Sequence, residues 1–214
     1  MNVTRFIAFG DSMTWGEDGQ DFAGECPNEP QLFRPLVQVA SPYPSLLQSK
    51  LDARYTAQLP TVKPDGNPGE AASNPNTLPR FKQDVLPTAY DAVLLMEGAN
   101  DLGGSEDAAI AALGSMIDYA RAQGLRVFLA TIPPENPNVT AFCPTDRDHS
   151  SFVAPFNARV RALAASKNAT LVDVEIAFGG NMSLLGLDGL HPTPTGYAVI
   201  ANTFFAAIKA TLEK

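Results

Sequence analysis

A serine hydroxyl becomes a nucleophile only when a base stands within hydrogen-bond reach of its proton. Histidine is the usual base, and the chain has two, His149 and His191. His149 lies among Asp146, Arg147 and Asp148, where a solvated side chain is expected. His191 stands three residues after Asp188 and directly before Pro192. An Asp-x-x-His turn can fold its carboxylate back onto the imidazole, fixing the tautomer and stabilising the imidazolium. Alone, such a pair is more often a loop contact; it gains weight from Ser12. Ser12 follows Gly10 and Asp11 at the end of the first apolar run and opens a helical segment. A serine there is commonly a helix cap, but its backbone amide could also face a developing oxyanion. Asp11 carries the same two readings, a cap or a substrate-binding residue. Asn100 and Gly69 offer a side-chain amide and a backbone N–H of the kind that stabilises a tetrahedral oxyanion. A helix cap and a turn glycine are their plainer uses. Taken together, these residue types suit acyl transfer, with Ser12 as nucleophile, His191 as base and Asp188 as its orienting acid.

Such residues work only if the fold gathers them from opposite ends of the chain. Residues 3–9 read as a first strand ending at Gly10. Residues 17–44 are rich in Gly, Pro, Asn and acidic side chains, a long loop of the kind that usually serves function. Residues 43–55 read as a helix, with Leu46, Leu47 and Leu51 on one face. A weak strand over 57–62 precedes a Pro/Gly/Asn-rich stretch over 64–79. Residues 92–96 and 127–130 read as buried strands, and 106–123 as a helix that Gly124 closes. After a Pro-rich loop from 133 to about 149 come a helix over about 152–167, a last strand over 170–174 and a final helix over 195–212. Strands that are apolar nearly throughout, alternating with helices, predict a parallel sheet covered on both faces. The expected fold is a three-layer α/β domain with about five strands and no second domain. Ligands bind beyond the carboxyl ends of the strands in such sheets. There the sequence places Gly10-Asp11-Ser12-Met13, Asn67-Pro68-Gly69-Glu70, Gly98-Ala99-Asn100-Asp101 and Asp188-Gly189-Leu190-His191.

These segments resemble the four blocks of the GDSL, or SGNH, hydrolases. Gly10-Asp11-Ser12-Met13 is similar to the first, with Met13 where Leu is commonest, a volume-conserving exchange. Residues 65–71 resemble the second, whose key residue is here Gly69, with Asp65 where the family often has Asn. Gly98-Ala99-Asn100-Asp101 resembles the Gly-x-Asn-Asp block, and Asp188-Gly189-Leu190-His191 the Asp-x-x-His block. The blocks keep the family's order from Phe9 to Pro192. The resemblance implies a flavodoxin-like sheet over residues 1–214 and a triad of Ser12, Asp188 and His191. It also implies an oxyanion hole from the Ser12 amide, the Gly69 amide and the Asn100 side chain, with no metal or organic cofactor. The Gly-x-Ser-x-Gly elbow of α/β-hydrolases is missing, since Thr14 stands at its fifth place.

Composition narrows the partners. A net charge of −8 and a pI near 4.7, without any Lys/Arg cluster, give no counterion-release drive toward nucleic acid or anionic membranes. No stretch reaches the ~18 consecutive apolar residues of a membrane span. No leader precedes the first apolar run, so the compartment, cytoplasmic or secreted after leader removal, stays open. Cys26 and Cys143, both in expected loops, could form one disulfide or remain thiols. Gly-x-x-x-x-Gly-Lys and Gly-x-Gly-x-x-Gly loops are absent, and two distant histidines suit no zinc hydrolase. Two classes remain. One is a serine esterase acting on a small-molecule ester, short-chain or acetyl, carbohydrate esters included, with lipase and thioesterase as family variants. The other is a non-catalytic ligand-binding domain, against which the intact Ser12, Asp188 and His191 argue. Trp15, three residues from Ser12, is best placed to line a substrate subsite; Phe22, Phe33 and Phe142 could do so from the long loops 17–42 and 133–149. Oligomeric state has no signature in the sequence.

Overall fold

The strand that opens the chain, β1 (Arg5–Gly10), is apolar from Phe6 to Phe9 and is buried along that whole run. Such a strand needs neighbours on both edges and cover on both faces. A computed structural model describes residues 3–19, 36–138 and 149–213 and supplies them. β1 pairs with β2 (Thr61–Gly66) on one side and β3 (Ala92–Met96) on the other; β4 (Arg126–Ala130) and β5 (Thr170–Val172) extend the sheet beyond β3. All pairings are parallel, and the order is β2-β1-β3-β4-β5. This is the flavodoxin-like order, whose topological switch point lies between the first and third strands. The expected α/β fold with five parallel strands is the fold observed.

Helices cover the sheet in two groups. α2 (Tyr43–Arg54) packs on α7 (Pro194–Leu212), and the short α6 (Val174–Phe178) also lies against α7. α3 (Thr77–Asp84) packs on α4 (Glu106–Ala122), which packs on α5 (Ser150–Ser166). On α7, Tyr197, Ile200, Ala201, Phe204 and Ile208 form the buried stripe that helical spacing requires. The Thr193 hydroxyl caps α7 by accepting the Gly196 N–H at 3.2 Å. Tyr43 stacks on Phe204 with ring centroids 5.2 Å apart, joining α2 to α7.

Three boundaries depart from expectation. The strand read over residues 57–62 begins instead at Thr61 and runs on to Gly66, through Pro64. Its largely exposed residues carry little apolar signal, and Pro64, which cannot donate to a ladder, is tolerated because β2 is an edge strand. α3 was hidden inside and beyond the Pro/Gly-rich stretch. Pro79 sits in its first turn, where a missing N–H costs no helical bond, and Phe81 fastens it by an edge contact to Phe9 at 4.9 Å between centroids. The last strand stops at Val172, and Asp173 caps α6 by accepting the Ile176 N–H at 3.3 Å. Cys26, Cys143, Phe22, Phe33 and Phe142, and most of the two long loops, lie outside the described residues. No described helix is long and apolar enough to cross a membrane.

Candidate active site

β1 ends where the chain must turn at once into α1 (Ser12–Trp15). A Cβ on Gly10 would overlap the Met96 carbonyl at the end of β3 and the Thr14 hydroxyl, so the turn needs glycine. Asp11, 1% exposed, caps α1 by accepting the Met13 N–H at 2.9 Å. Ser12 is therefore relieved of the capping duty that was its plainer reading. Its Oγ lies 2.8 Å from His191 Nε2.

The imidazole is oriented from its other side. Nδ1 is 2.6 Å from Asp188 Oδ2, while Asp188 Oδ1 accepts the backbone N–H groups of Leu190 at 3.0 Å and His191 at 2.9 Å. The Asp-x-x-His turn thus folds its carboxylate onto the ring. The turn is fixed by a bridge between Leu185 and Pro192, by Gly186 N–H donating to the His191 carbonyl at 2.8 Å, and by Asn136 N–H donating to Gly189 at 2.8 Å. Ser12 and His191 are each 5% exposed. Burial opposes a charged imidazole, but Asp188, Glu17 and Asp11 outweigh it and hold the His191 pKa above the ordinary histidine value. Burial likewise opposes the Asp188 carboxylate, yet the bonds from His191 and the two backbone amides hold it below the usual range. Asp11, with its carboxyl buried, is pushed up to about 6. A hydroxyl, an imidazole and a carboxylate in one hydrogen-bonded line can move the serine proton to Nε2 and stabilise the imidazolium that forms.

Gly69 and Asn100 lie in the turns that follow β2 and β3, the two strands that flank β1. Gly69 lies in a turn whose Asn67 N–H donates to the Gly10 carbonyl at 2.9 Å, and its φ of +76° lies in the region that favours glycine. Asn100 occupies a 3₁₀ turn (Ala99–Asp101) directly after Gly98. Its Nδ2 donates to the Glu70 carbonyl at 2.8 Å, which fixes the amide plane and leaves the second N–H for another acceptor. The Asp101 carboxylate accepts Ala72 N–H at 2.7 Å and Ser73 N–H at 2.9 Å, lacing the two turns together. Arg80 on α3 lies behind them. Its Nε donates to both Glu70 oxygens at 3.0 and 3.1 Å, its Nη1 meets Asp65 at 3.1 Å, and its guanidinium stacks 3.8 Å over the Phe9 ring.

Glu97, at the end of β3 and 1% exposed, closes this network. Oε2 accepts the Gly98 N–H at 3.1 Å, whereas Oε1 meets no donor among the described residues. Burial, then the neighbouring carboxylates Asp11 and Glu70, push Glu97 well above the usual carboxylate range. A protonated Oε1 can donate to Glu70 and so needs no donor itself. The sign of the pH effect follows. Between the unfolded glutamate pKa and the raised folded one, the unfolded chain binds fewer protons, so stability falls as pH rises. Glu97→Gln keeps the bond from the Gly98 N–H and puts an amide that does not titrate in place of the carboxyl. It is expected to raise the melting temperature at pH 8, by about 2–4 °C per kcal/mol recovered, and to change it little at pH 4. A lower melting temperature at pH 8 would contradict the neutral carboxyl.

The structure thus brings Ser12, His191 and Asp188 into contact and places Gly69 and Asn100 in the turns after the two strands that flank β1. Asp11 lies behind the nucleophile in the capping role, and Trp15 is half-buried with its carbonyl bonded by Gln38. His149 is half-buried rather than solvated; its ring lies against Gly103 and meets Phe152 edge-on at 6.2 Å. Arg80, Glu97 and Glu17, whose carboxylate lies beside His191, were not singled out in the sequence, where each reads as a charge on a helix, strand end or loop.

Comparison with known proteins agrees with this fold. The sequence model of the GDSL-like lipase/acylhydrolase family matches residues 8–199. No curated protein matches the chain. Among solved structures, a lipase/acylhydrolase from Enterococcus faecalis is similar over 97% of this chain and 96% of that one, with a TM-score of 0.74 and 21% identity. The acetylxylan esterase of Geobacillus stearothermophilus is similar over 96% and 94%, with a TM-score of 0.70 and 21% identity. An alpha/beta hydrolase from the metagenome of Lake Arreo is similar over 95% and 94%, with a TM-score of 0.70 and 23% identity. At these identities the structural likeness speaks for the fold.

Proposed function

The chain belongs to the GDSL-like lipase/acylhydrolase family, and from that premise we propose that it is a serine esterase for small-molecule esters with short acyl groups. The observation that carries this reading is the line from Ser12 Oγ to His191 Nε2 at 2.8 Å and from Nδ1 to Asp188 at 2.6 Å. His191 takes the Ser12 proton as the hydroxyl adds to the ester carbonyl. The oxyanion forms against the Ser12 amide, the Gly69 amide and the free N–H of Asn100. The tetrahedral intermediate collapses, the alcohol leaves with the proton from His191, and an acyl-enzyme remains on Ser12. Water then repeats the sequence and releases the acid. The similarity to an acetylxylan esterase supports including acetylated sugars among the substrates. Trp15, half-buried next to the α1 turn, suits the wall of the acyl or sugar subsite.

Hydrolysis of p-nitrophenyl esters from acetate to palmitate tests the reading. Turnover is expected to be fastest for acetate and butyrate and to fall with chain length. Preference for palmitate would overturn the short-chain reading. No turnover on these esters or on acetylated sugars would favour a binding domain. Asn100→Ala is expected to lower kcat by about 10²–10³ with KM little changed, because the lost N–H acts on the oxyanion. Equal rates in the variant would remove Asn100 from that role. The neutral imidazole is the base, so kcat/KM is expected to rise with pH through a midpoint above the ordinary value of 6.5. A rate independent of pH down to pH 4 would contradict His191 as base.

A further inference from the structure

Proton exchange at His191 Nε2 takes place in a space that the mechanism above fills with Ser12 and the leaving alcohol alone. A third group is there. Glu17 Oε2 lies 3.4 Å from the same nitrogen, and the side chains of both residues are 7% exposed. The Glu17 backbone is held from three directions. Its N–H donates to the Ser12 carbonyl at 2.9 Å, its carbonyl accepts the Tyr197 hydroxyl at 2.7 Å, and it forms a bridge with Gln38. The residue sits immediately past Gly16, the C-cap of α1, so one four-residue helix carries the nucleophile at its start and this carboxylate just beyond its end. Burying a carboxylate is costly unless its surroundings compensate for lost water, and the compensation within reach here includes the imidazole.

We propose that Glu17 is a positioning residue that holds protonated His191 by its Nε2 edge, so that the imidazolium rests between two carboxylates. This deepens the esterase reading and rests on it for its catalytic consequence. In the neutral ring with Nδ1–H on Asp188, the Nε2 lone pair accepts the Ser12 hydroxyl at 2.8 Å, and the Glu17 oxygen 3.4 Å away repels it. Protonation turns that repulsion into attraction. Two effects follow from one contact. Proton transfer from Ser12 becomes easier, because the imidazolium formed during attack is met by charge already in place. At acid pH the same contact holds the Nε2–H away from Ser12 and keeps the resting enzyme inactive. The other groups around the ring are Asp188 on its own turn, Asp11 at the start of α1, and Tyr197 on α7. Tyr197 feels Asp11, Glu17, Asp188 and Asp18 and is kept neutral by burial.

The test compares wild type with Glu17→Gln, which keeps shape and hydrogen bonding and removes charge, and with Tyr197→Phe, which loosens the hold on the Glu17 carbonyl. Two readouts are taken: the kcat/KM-pH profile on p-nitrophenyl acetate, and the titration of the His191 ring by ¹⁵N NMR. In Glu17→Gln both midpoints are expected to fall by about one pH unit. Plateau kcat is expected to fall by about tenfold, with KM little changed. Tyr197→Phe should move the midpoints in the same direction by less. The NMR titration needs no turnover, so a chain without esterase activity still reports on Glu17, and failure of the two readings can be told apart. Midpoints unmoved in both variants would overturn the proposal.

Discussion

Ser12→Ala is expected to reduce ester hydrolysis by on the order of 10⁴–10⁶ while leaving the melting temperature nearly unchanged. The size of the first effect follows from chemistry: without the hydroxyl no acyl-enzyme forms, and only binding and the oxyanion donors are left to assist water. The smallness of the second follows from local structure. Among the described residues the one hydrogen bond that the Ser12 side chain makes is to His191, and the capping bond that a serine could give α1 comes from Asp11, through Met13 N–H at 2.9 Å. Rates on p-nitrophenyl acetate and a thermal melt of the same preparation check both. A variant that melts normally and keeps a tenth of the activity would contradict a serine nucleophile.

Asp188→Asn is expected to lower kcat by about 10⁴, more than its small change in shape suggests. Asp188 Oδ1 accepts two backbone N–H groups, from Leu190 and His191, and only an oxygen can stand there. The asparagine amide must therefore turn its NH₂ toward His191 Nδ1, where Oδ2 now accepts at 2.6 Å. A donor facing Nδ1 moves the ring proton to Nε2, and the base loses the lone pair that takes the Ser12 proton. Stopped-time assays with enough enzyme to read 10⁻⁵ of the wild-type rate check this. A loss of less than tenfold would remove Asp188 from the orienting role.

What the sequence made legible followed the strength of the local signal. β3 and β4 are unbroken apolar runs that only a covered parallel sheet accommodates, and their ends were read to within a residue. β2 and α3 were misplaced or unseen because tertiary context set them. Pairing with β1 makes a strand of Thr-Val-Lys-Pro-Asp-Gly, and Phe81 against Phe9 holds a helix that opens beside a proline. At the site, Ser12 and His191 could be matched because the chain has only two histidines and one of them follows Asp188 by three. Glu17, Glu97 and Arg80 left no such trace. Their importance comes from burial beside particular partners across the fold, and a charged residue carries no mark in the sequence of whether folding will bury it.

The most direct test of the central claim is covalent: incubation with a fluorophosphonate, followed by intact-mass and peptide-mapping spectrometry. Attack by an activated serine on phosphorus should leave one phosphonyl group per chain, carried by Ser12. It should be absent in Ser12→Ala and form far more slowly in Asp188→Asn. No adduct, or one that persists in Ser12→Ala, would contradict the account.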